Sequence, residues 1–476
     1  MMKTINYQSN TRHYCACLFA NKRPFLYLLF LSMTLFSCTD FVEVGLPDSQ
    51  LTGVKVFEDK NTANAALADV YAKLRDSGIL TGSTMGISSR LGLYADELTF
   101  YGGSTNSESN FYNNTLLAAN SDISNVWNVS YNQIYAVNAI IEGVQKSVAL
   151  GVADKSQLIG EAKFIRALVH FYLANLYGDI PYITVTDYQV NRLVGRMPVS
   201  QVYDQIISDL NDASTLLPEE YRTADRTLPN RSTANALLAR VFLYNRSWAE
   251  ASNSASAVLN SSLYVWETDL DKIFLKESTT TIWQFIPKVE GANTDEGSTF
   301  LFSSGPPPFV ALSNALVSAF SSGDQRKIHW IGTITSGTNV WHYANKYKEM
   351  GFTGSSVEYS IVFRLAEQYL IRAEARAHQG DLIGAKEDLN KIRNTAGLDD
   401  TEAITSEEII TAVLAERRLE FFTEQGQRFF DLKRTAQLDA TLSGVKVGWN
   451  STDILWPLPS TELIANPNLR PQNAGY

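Results

Sequence analysis

The stretch FRLAEQYLIRAEARAHQGDLIGAKEDLNKIRNTAGL, residues 363–398, decides how this chain is built. Apolar residues recur at helical spacing on both sides of Gly380-Asp381, a pair that interrupts a helix rather than continuing it. The spacing predicts two helices joined by a tight turn. Ala373, Ala377 and Ala385 carry side chains small enough to let the two helices pack closely. The same arrangement stands earlier, in NRSTANALLARVFLYNRSWAEASNSASAVLNSS (residues 230–262), where the apolar spacing breaks at Asn245–Trp248 and resumes at Ala249.

A unit of about 34 residues made of two antiparallel helices with small residues at the crossing is the tetratricopeptide pattern. Further helical stripes precede these pairs. DKNTANAALADVYAKLRDSG (59–78) opens with the cap-forming Asp59 and Asn61 and closes at Gly78. SNVWNVSYNQIYAVNAIIEGVQKS (124–147) carries Trp127, Tyr131, Ile134, Val137 and Ile141. GEAKFIRALVHFYLANLYGDIPY (160–182) is stopped by Gly178 and Pro181, and PVSQVYDQIISDLNDASTLLP (198–218) adds another helix. The predicted class is mostly α, a scaffold of helical pairs with loop-rich insertions. Two segments break the pattern. Residues 262–360 hold short β-branched and aromatic runs, glycines and Pro306-Pro307-Pro308. Residues 80–114 form a second loop-rich, aromatic-dotted insertion. Long irregular segments in a domain of this kind tend to be functional or disordered, and the tryptophans at or near the larger one argue against disorder.

At the N-terminus, FLYLLFLSMTLFSCTDF (25–41) places an uncharged run, Phe25–Phe36, after Lys22 and Arg23. A membrane-spanning helix needs about 20 apolar residues. The shorter run with a basic flank reads as a cleaved secretory signal. Its end, Leu35-Phe36-Ser37-Cys38, looks like a lipobox, so Cys38 is expected to carry lipid and to become the first residue of the mature chain. Cys15 and Cys17 would leave with the leader, and no cysteine pair would remain for a disulfide or a metal site. Gly45 and Pro47 mark an extended tether after Cys38. The formal net charge of −10 argues against a nucleic-acid partner, which needs clustered Lys and Arg.

Catalytic signatures are absent. The most charged segment, ERRLEFFTEQGQRFFDLKR (416–434), sets Glu416 and Glu420 one helical turn apart beside Arg417 and Arg418. That spacing suits ion pairing along a helix better than the facing carboxylates of a glycosidase. Arg428 and Asp431 are expected to fix the turn after Gly426, and Asp324 and Arg326 to form a structural turn. His13, His170, His329, His342 and His378 show no metal-binding spacing, and no phosphate-binding loop or nucleophile elbow is present.

Six segments, in this order, resemble the SusD/RagB nutrient-uptake lipoproteins of the Bacteroidetes outer membrane: GEAKFIRALVHFYLANLYGDIPY (160–182), LLARVFLY (237–244), FRLAEQYLIRAEA (363–375), DLNKIRNTAGL (388–398), the charged segment at 416–434, and WPLPSTELIANPNLRPQNAGY (456–476). The resemblance covers residues 38–476. It implies a tetratricopeptide scaffold shown on the cell surface by its lipid, capping a SusC-like TonB-dependent transporter, and binding a glycan or a peptide without catalysis. The division that follows is a lipoprotein signal at 1–37, a SusD-like N-terminal part at 38–261, and a C-terminal part at 262–476 holding the variable ligand-binding region, all within one structural domain. A structural calcium ion occurs in the family, but the scattered acidic residues nominate no ligands for it, and no cofactor is expected. Oligosaccharide capture is the leading reading and peptide capture, as in the RagB branch, the second. A lipid-anchored glycoside hydrolase and a purely structural adaptor rank lower.

A sugar ring stacks one apolar face on an aromatic side chain while its hydroxyls meet polar groups. By the resemblance, Tyr101, beside GGSTN, stands where ligand contacts fall. Trp283, Trp330 and Trp341 lie in the variable region. These four are the expected ligand-binding residues, whereas Trp127 and Trp248 are expected to pack.

Overall fold

Asp59 sets the start of the first long helix. Its carboxylate accepts from the backbone N–H groups of Asn61 (2.8 Å) and Thr62 (3.1 Å), capping helix α1 (Lys60–Asp76), as the cap signal predicts. The computed structural model describes residues 53–476. The expected leader, lipidated Cys38 and tether lie outside the described residues.

Next comes α2 (Ile87–Tyr94), inside the segment expected to be loop-rich. All eight of its residues are buried, including Ser88, Ser89 and Arg90, so it shows no polar face for a periodicity to reveal. Strand β1 (Leu98–Phe100) follows, then the long helices α3 (Ser121–Lys146) and α4 (Val152–Tyr177). Gly178 ends α4 in a left-handed conformation at φ 77°. The chain continues through α5 (Val199–Leu216), α6 (Arg231–Tyr244) and α7 (Trp248–Leu259).

The irregular region contributes β2 (Thr281–Phe285), β3 (Val310–Leu312), β4 (Ile331–Ser336), β5 (Asn339–Ala344) and β6 (Ser360–Arg364). These make two-stranded antiparallel sheets in the pairs β1–β3, β2–β6 and β4–β5. Helices α8 (Leu365–His378), α9 (Leu382–Thr395), α10 (Ser406–Glu420) and α11 (Gln427–Arg434) complete the scaffold. Consecutive helices pack on one another from α3 through α9, with α10 against both α8 and α9.

The turns fall where the apolar spacing stops, at 245–247 and 379–381. Alanines line the crossings. Ala373, Ala377 and Ala385 are buried with Leu370 and Leu389, while Ala251 and Ala255 of α7 meet Ala375 and Ile371 of α8. Close approach of this kind lets short helices bury area that propensity alone would not secure. Among the described residues, no helix is long and apolar enough to cross a membrane.

Candidate functional site

The charged segment 416–434 is interior structure. Glu416 and Glu420 both pair with Arg326 (2.6 and 2.9 Å), whose side chain has no exposed surface and which also holds Asp324 at 2.8 Å. Glu420 and Glu424 pair with Arg364 (2.6 and 2.8 Å), and Lys346 reaches Glu424 at 2.5 Å. The expectation of pairing along one helix is corrected here, because these partners come from residues 324–364 and not from Arg417 or Arg418. Arg417 pairs with Asp431 (2.7 Å). Arg418 and Arg428 both hold Asp96 (3.0 and 2.8 Å), so Arg428 secures a distant strand instead of the turn at Gly426. Nearby guanidinium groups offset burial and keep the carboxyls of Glu420, Glu424 and Asp431 below the usual range. Carboxylates so engaged have no free oxygen pair facing a bond to be cleaved. Among the described residues, no three His, Cys, Asp or Glu side chains gather as a metal site.

Those ion pairs position β1. Asp96 is fixed by its two arginines, its carbonyl accepts from the Ser313 hydroxyl (2.6 Å), and Ser313 N–H donates to Glu97 O (2.8 Å). The ladder then runs Leu98 opposite Leu312, Thr99 opposite Ala311 and Phe100 opposite Val310. One step on, Tyr101 N–H donates to Phe309 O at 2.7 Å. Phe100 sets its ring edge-to-face on Phe309, centroids 5.5 Å apart. Tyr101 itself is 41% exposed, and no hydrogen bond holds its hydroxyl among the described residues.

Trp341 sits in β5 opposite Ile334 of β4 and is half-buried. Its ring lies on Gly305, where an added Cβ would stand 2.1 Å from a ring carbon. Tyr101 and Trp341 therefore meet the same segment, the first through its backbone N–H at Phe309 and the second through its ring at Gly305. Three residues, Pro306 to Pro308, separate those points, so they lie at most about 14 Å apart. Ser104 and Thr105, shortly after Tyr101, and Ser303 and Ser304, just before Gly305, are exposed and carry hydroxyls. The two segments offer aromatic area with small polar groups close by in the chain.

Trp283 and Trp330 do not belong to it. Both are fully buried, which corrects the expectation that they meet a ligand. Trp283 packs edge-to-face on Phe164 (5.2 Å) and Phe285 (4.9 Å), and its Nε1–H donates to Thr227 O at 3.1 Å. Trp330 donates to Leu270 O at 3.0 Å, meets Phe274 edge-on, and carries the Lys346 ammonium 5.1 Å from its ring centroid. Phe100 and Phe309, which sequence reading passed over, support the exposed pair. Their signal is the strand pairing itself, which joins residues more than 200 positions apart.

This fold and surface define a class: a helical-repeat scaffold that presents exposed aromatic residues on strand edges and loops. Residues 47–243 match a family model described as "Starch-binding associating with outer membrane", and residues 318–476 match the model of the SusD family. The chain belongs to the SusD/RagB family, whose members are outer-membrane-associated binding proteins. A SusD-like protein of Formosa agariphila, P2, is 28% identical over 379 residues, which are 66% of this chain and 73% of that one. The crystal structure of a SusD superfamily protein from Bacteroides vulgatus superposes with a TM-score of 0.76 at 23% identity, covering 88% of this chain and 99% of that one. Surface glycan-binding protein A from Bacteroides thetaiotaomicron, solved in complex with laminarihexaose, gives 0.74 at 18% identity, covering 87% and 99%.

Proposed function

We propose that this protein captures an oligosaccharide at the surface shared by Tyr101 and Trp341 and delivers it, without cleaving it, to a SusC-like TonB-dependent transporter. Lipid on Cys38 would hold it at the outer face of the outer membrane. The observation that carries this reading is that two partly exposed aromatic residues meet one segment, Tyr101 through its backbone at Phe309 and Trp341 through its ring at Gly305. Family membership and a relative solved with laminarihexaose support the ligand class.

Calorimetry of the purified chain against plant, host and microbial oligosaccharides, with mixed peptides alongside, tests it. We expect one glycan class to bind without turnover, and Tyr101→Ala or Trp341→Ala to weaken it about tenfold, a loss of about 1.4 kcal/mol. Melting temperature should hardly change, because neither ring is a core element. Binding to peptides alone would transfer the reading to peptide capture. A large melting loss in either variant would return that residue to a packing role.

A further inference from the structure

Helix α3 carries a second aromatic arrangement that shares no residue with the first. Tyr131 and Tyr135 stand one turn apart on one face, as do Asn128 and Asn132. Opposite them run the segment Pro181–Arg192 and the C-terminal stretch Glu462–Leu469. Between the three lies a cleft of about 570 Å³, within the range of roughly 300–1,000 Å³ usual for small-ligand sites.

The floor is rigid. Tyr131 lies 4.7 Å from the buried Trp127 ring and donates from its hydroxyl to Pro181 O at 2.8 Å. The walls are open: Tyr135 is 55% and Tyr188 72% exposed, and neither ring has an aromatic or hydrogen-bonding side-chain partner among the described residues. Rings of this size left bare on both sides of one cleft are costly as surface and useful as platforms.

Polar groups converge on the same space. The side chains of Asn128, Asn132 and Arg192 make no hydrogen bond or ion pair among the described residues, although each lines the cleft. The Glu462 carboxyl is also unpaired, and partial burial raises its pKa. Asn191 spends its Nδ2 on Val185 O (2.8 Å), while its Oδ1 is buried with no donor. A buried amide oxygen left unmatched costs free energy unless something supplies the missing hydrogen bond.

The occupant these groups fit has apolar faces for the tyrosines and closely spaced hydroxyls for the amides, the carboxyl and the guanidinium. An acyl chain would leave the polar groups unmatched. A peptide that adds as a strand needs a strand edge, and no strand lines the cleft; a proline-rich peptide laid on the tyrosines would leave the convergent amides, carboxyl and guanidinium largely unmatched, and peptide-only binding is an outcome of the test. We propose that this cleft is a second saccharide-binding site, taking a neutral oligosaccharide independently of Tyr101 and Trp341. Two sites on one capture protein would grip a long glycan at two points, raising avidity without any new contact at the first.

The test uses the purified chain, a glycan array that includes laminarihexaose and α- and β-linked gluco-oligosaccharides, and calorimetry on whatever binds. Two double variants separate the sites: Tyr135→Ala with Tyr188→Ala, and Tyr101→Ala with Trp341→Ala. The expected result is a glycan whose binding weakens at least tenfold, or whose stoichiometry falls by one site, in the first double variant, at unchanged melting temperature. That effect persists when the Tyr101 and Trp341 positions are already alanine. Binding abolished by the Tyr101–Trp341 variant and untouched by the Tyr135–Tyr188 variant would overturn this proposal and leave the first site standing. The reverse pattern would overturn the first site and sustain this one. Binding of peptides only, or of no glycan on the array, would overturn it as well.

Discussion

Glu97 is the residue at which burial and charge conflict most openly. It stands at the foot of β1, 1% exposed, and its Oε1 has no hydrogen-bond partner. Burial first, and the neighbouring Asp96 carboxylate second, push its pKa up to about 8, against the pull of Arg428, Lys346 and Arg418. The folded protein therefore keeps a proton that the unfolded chain releases near pH 4.5. Between those values the native state binds more protons, so stability falls as pH rises. Glu97→Gln removes this penalty. Its urea midpoint should converge with that of the parent as pH falls toward 4.5 and exceed it at pH 8; parallel profiles would show that Glu97 does not titrate in this window. The same scale explains what the sequence concealed. Trp283 and Trp330 carry no local period, and what buries them is contact with Phe164, Thr227, Leu270 and Phe274, residues brought near only by the fold. The sequence reading passes over Tyr135 as well: this residue stands one turn after Tyr131 on its helix, and the fold leaves it bare.

At the scale of elements, helices were legible and strands were not. A helical pair writes its turn locally, as a break in spacing at Asn245 or at Gly380-Asp381, and the alanines at its crossing are neighbours in sequence. The sheet β1–β3 joins residues 98–100 to 310–312, a pairing with no local signature. Helix α2 was hidden for another reason, since burial on every side leaves no amphipathic stripe. The loop between α2 and α3 and the loop before β3 meet through Tyr101 and Phe309, and the second of these also supports Trp341 at Gly305. Gly305 has no positive φ, so close approach of the ring is what requires glycine there. Gly305→Ala should displace the Trp341 ring while costing little stability, because the loop around it is largely exposed. Calorimetry with the glycan found above should show a loss approaching that of Trp341→Ala. Unchanged affinity would mean that the ring's resting position does not matter for binding.

Across the whole molecule, the sequence reading sets its division at 261/262, where regular helices give way to the irregular region, within one structural domain, and the contacts run straight over it. Residues 53–476 form one compact unit. Helix α7 packs on α8 across the irregular region, and Arg240 of α6 makes two bonds, 2.6 and 2.7 Å, to the buried carboxylate of Glu367 in α8. Trp283 fills the space beside Tyr71 and Phe164, and Asp96 depends on Arg418 and Arg428. Removing residues 262–476 would strand Arg240 and Asp96 without their counter-ions and uncover the alanine face of α7. A buried charge deprived of its partner costs about 3–5 kcal/mol, so two such losses rival the entire stability of an ordinary domain. Residues 53–261 expressed alone should therefore lack near-UV circular dichroism and show no cooperative urea transition. Adding residues 262–476 during refolding should restore both. A cooperative transition in the isolated N-terminal piece would show instead that α3 to α7 bury enough apolar surface in their own crossings to stand without the ion pairs.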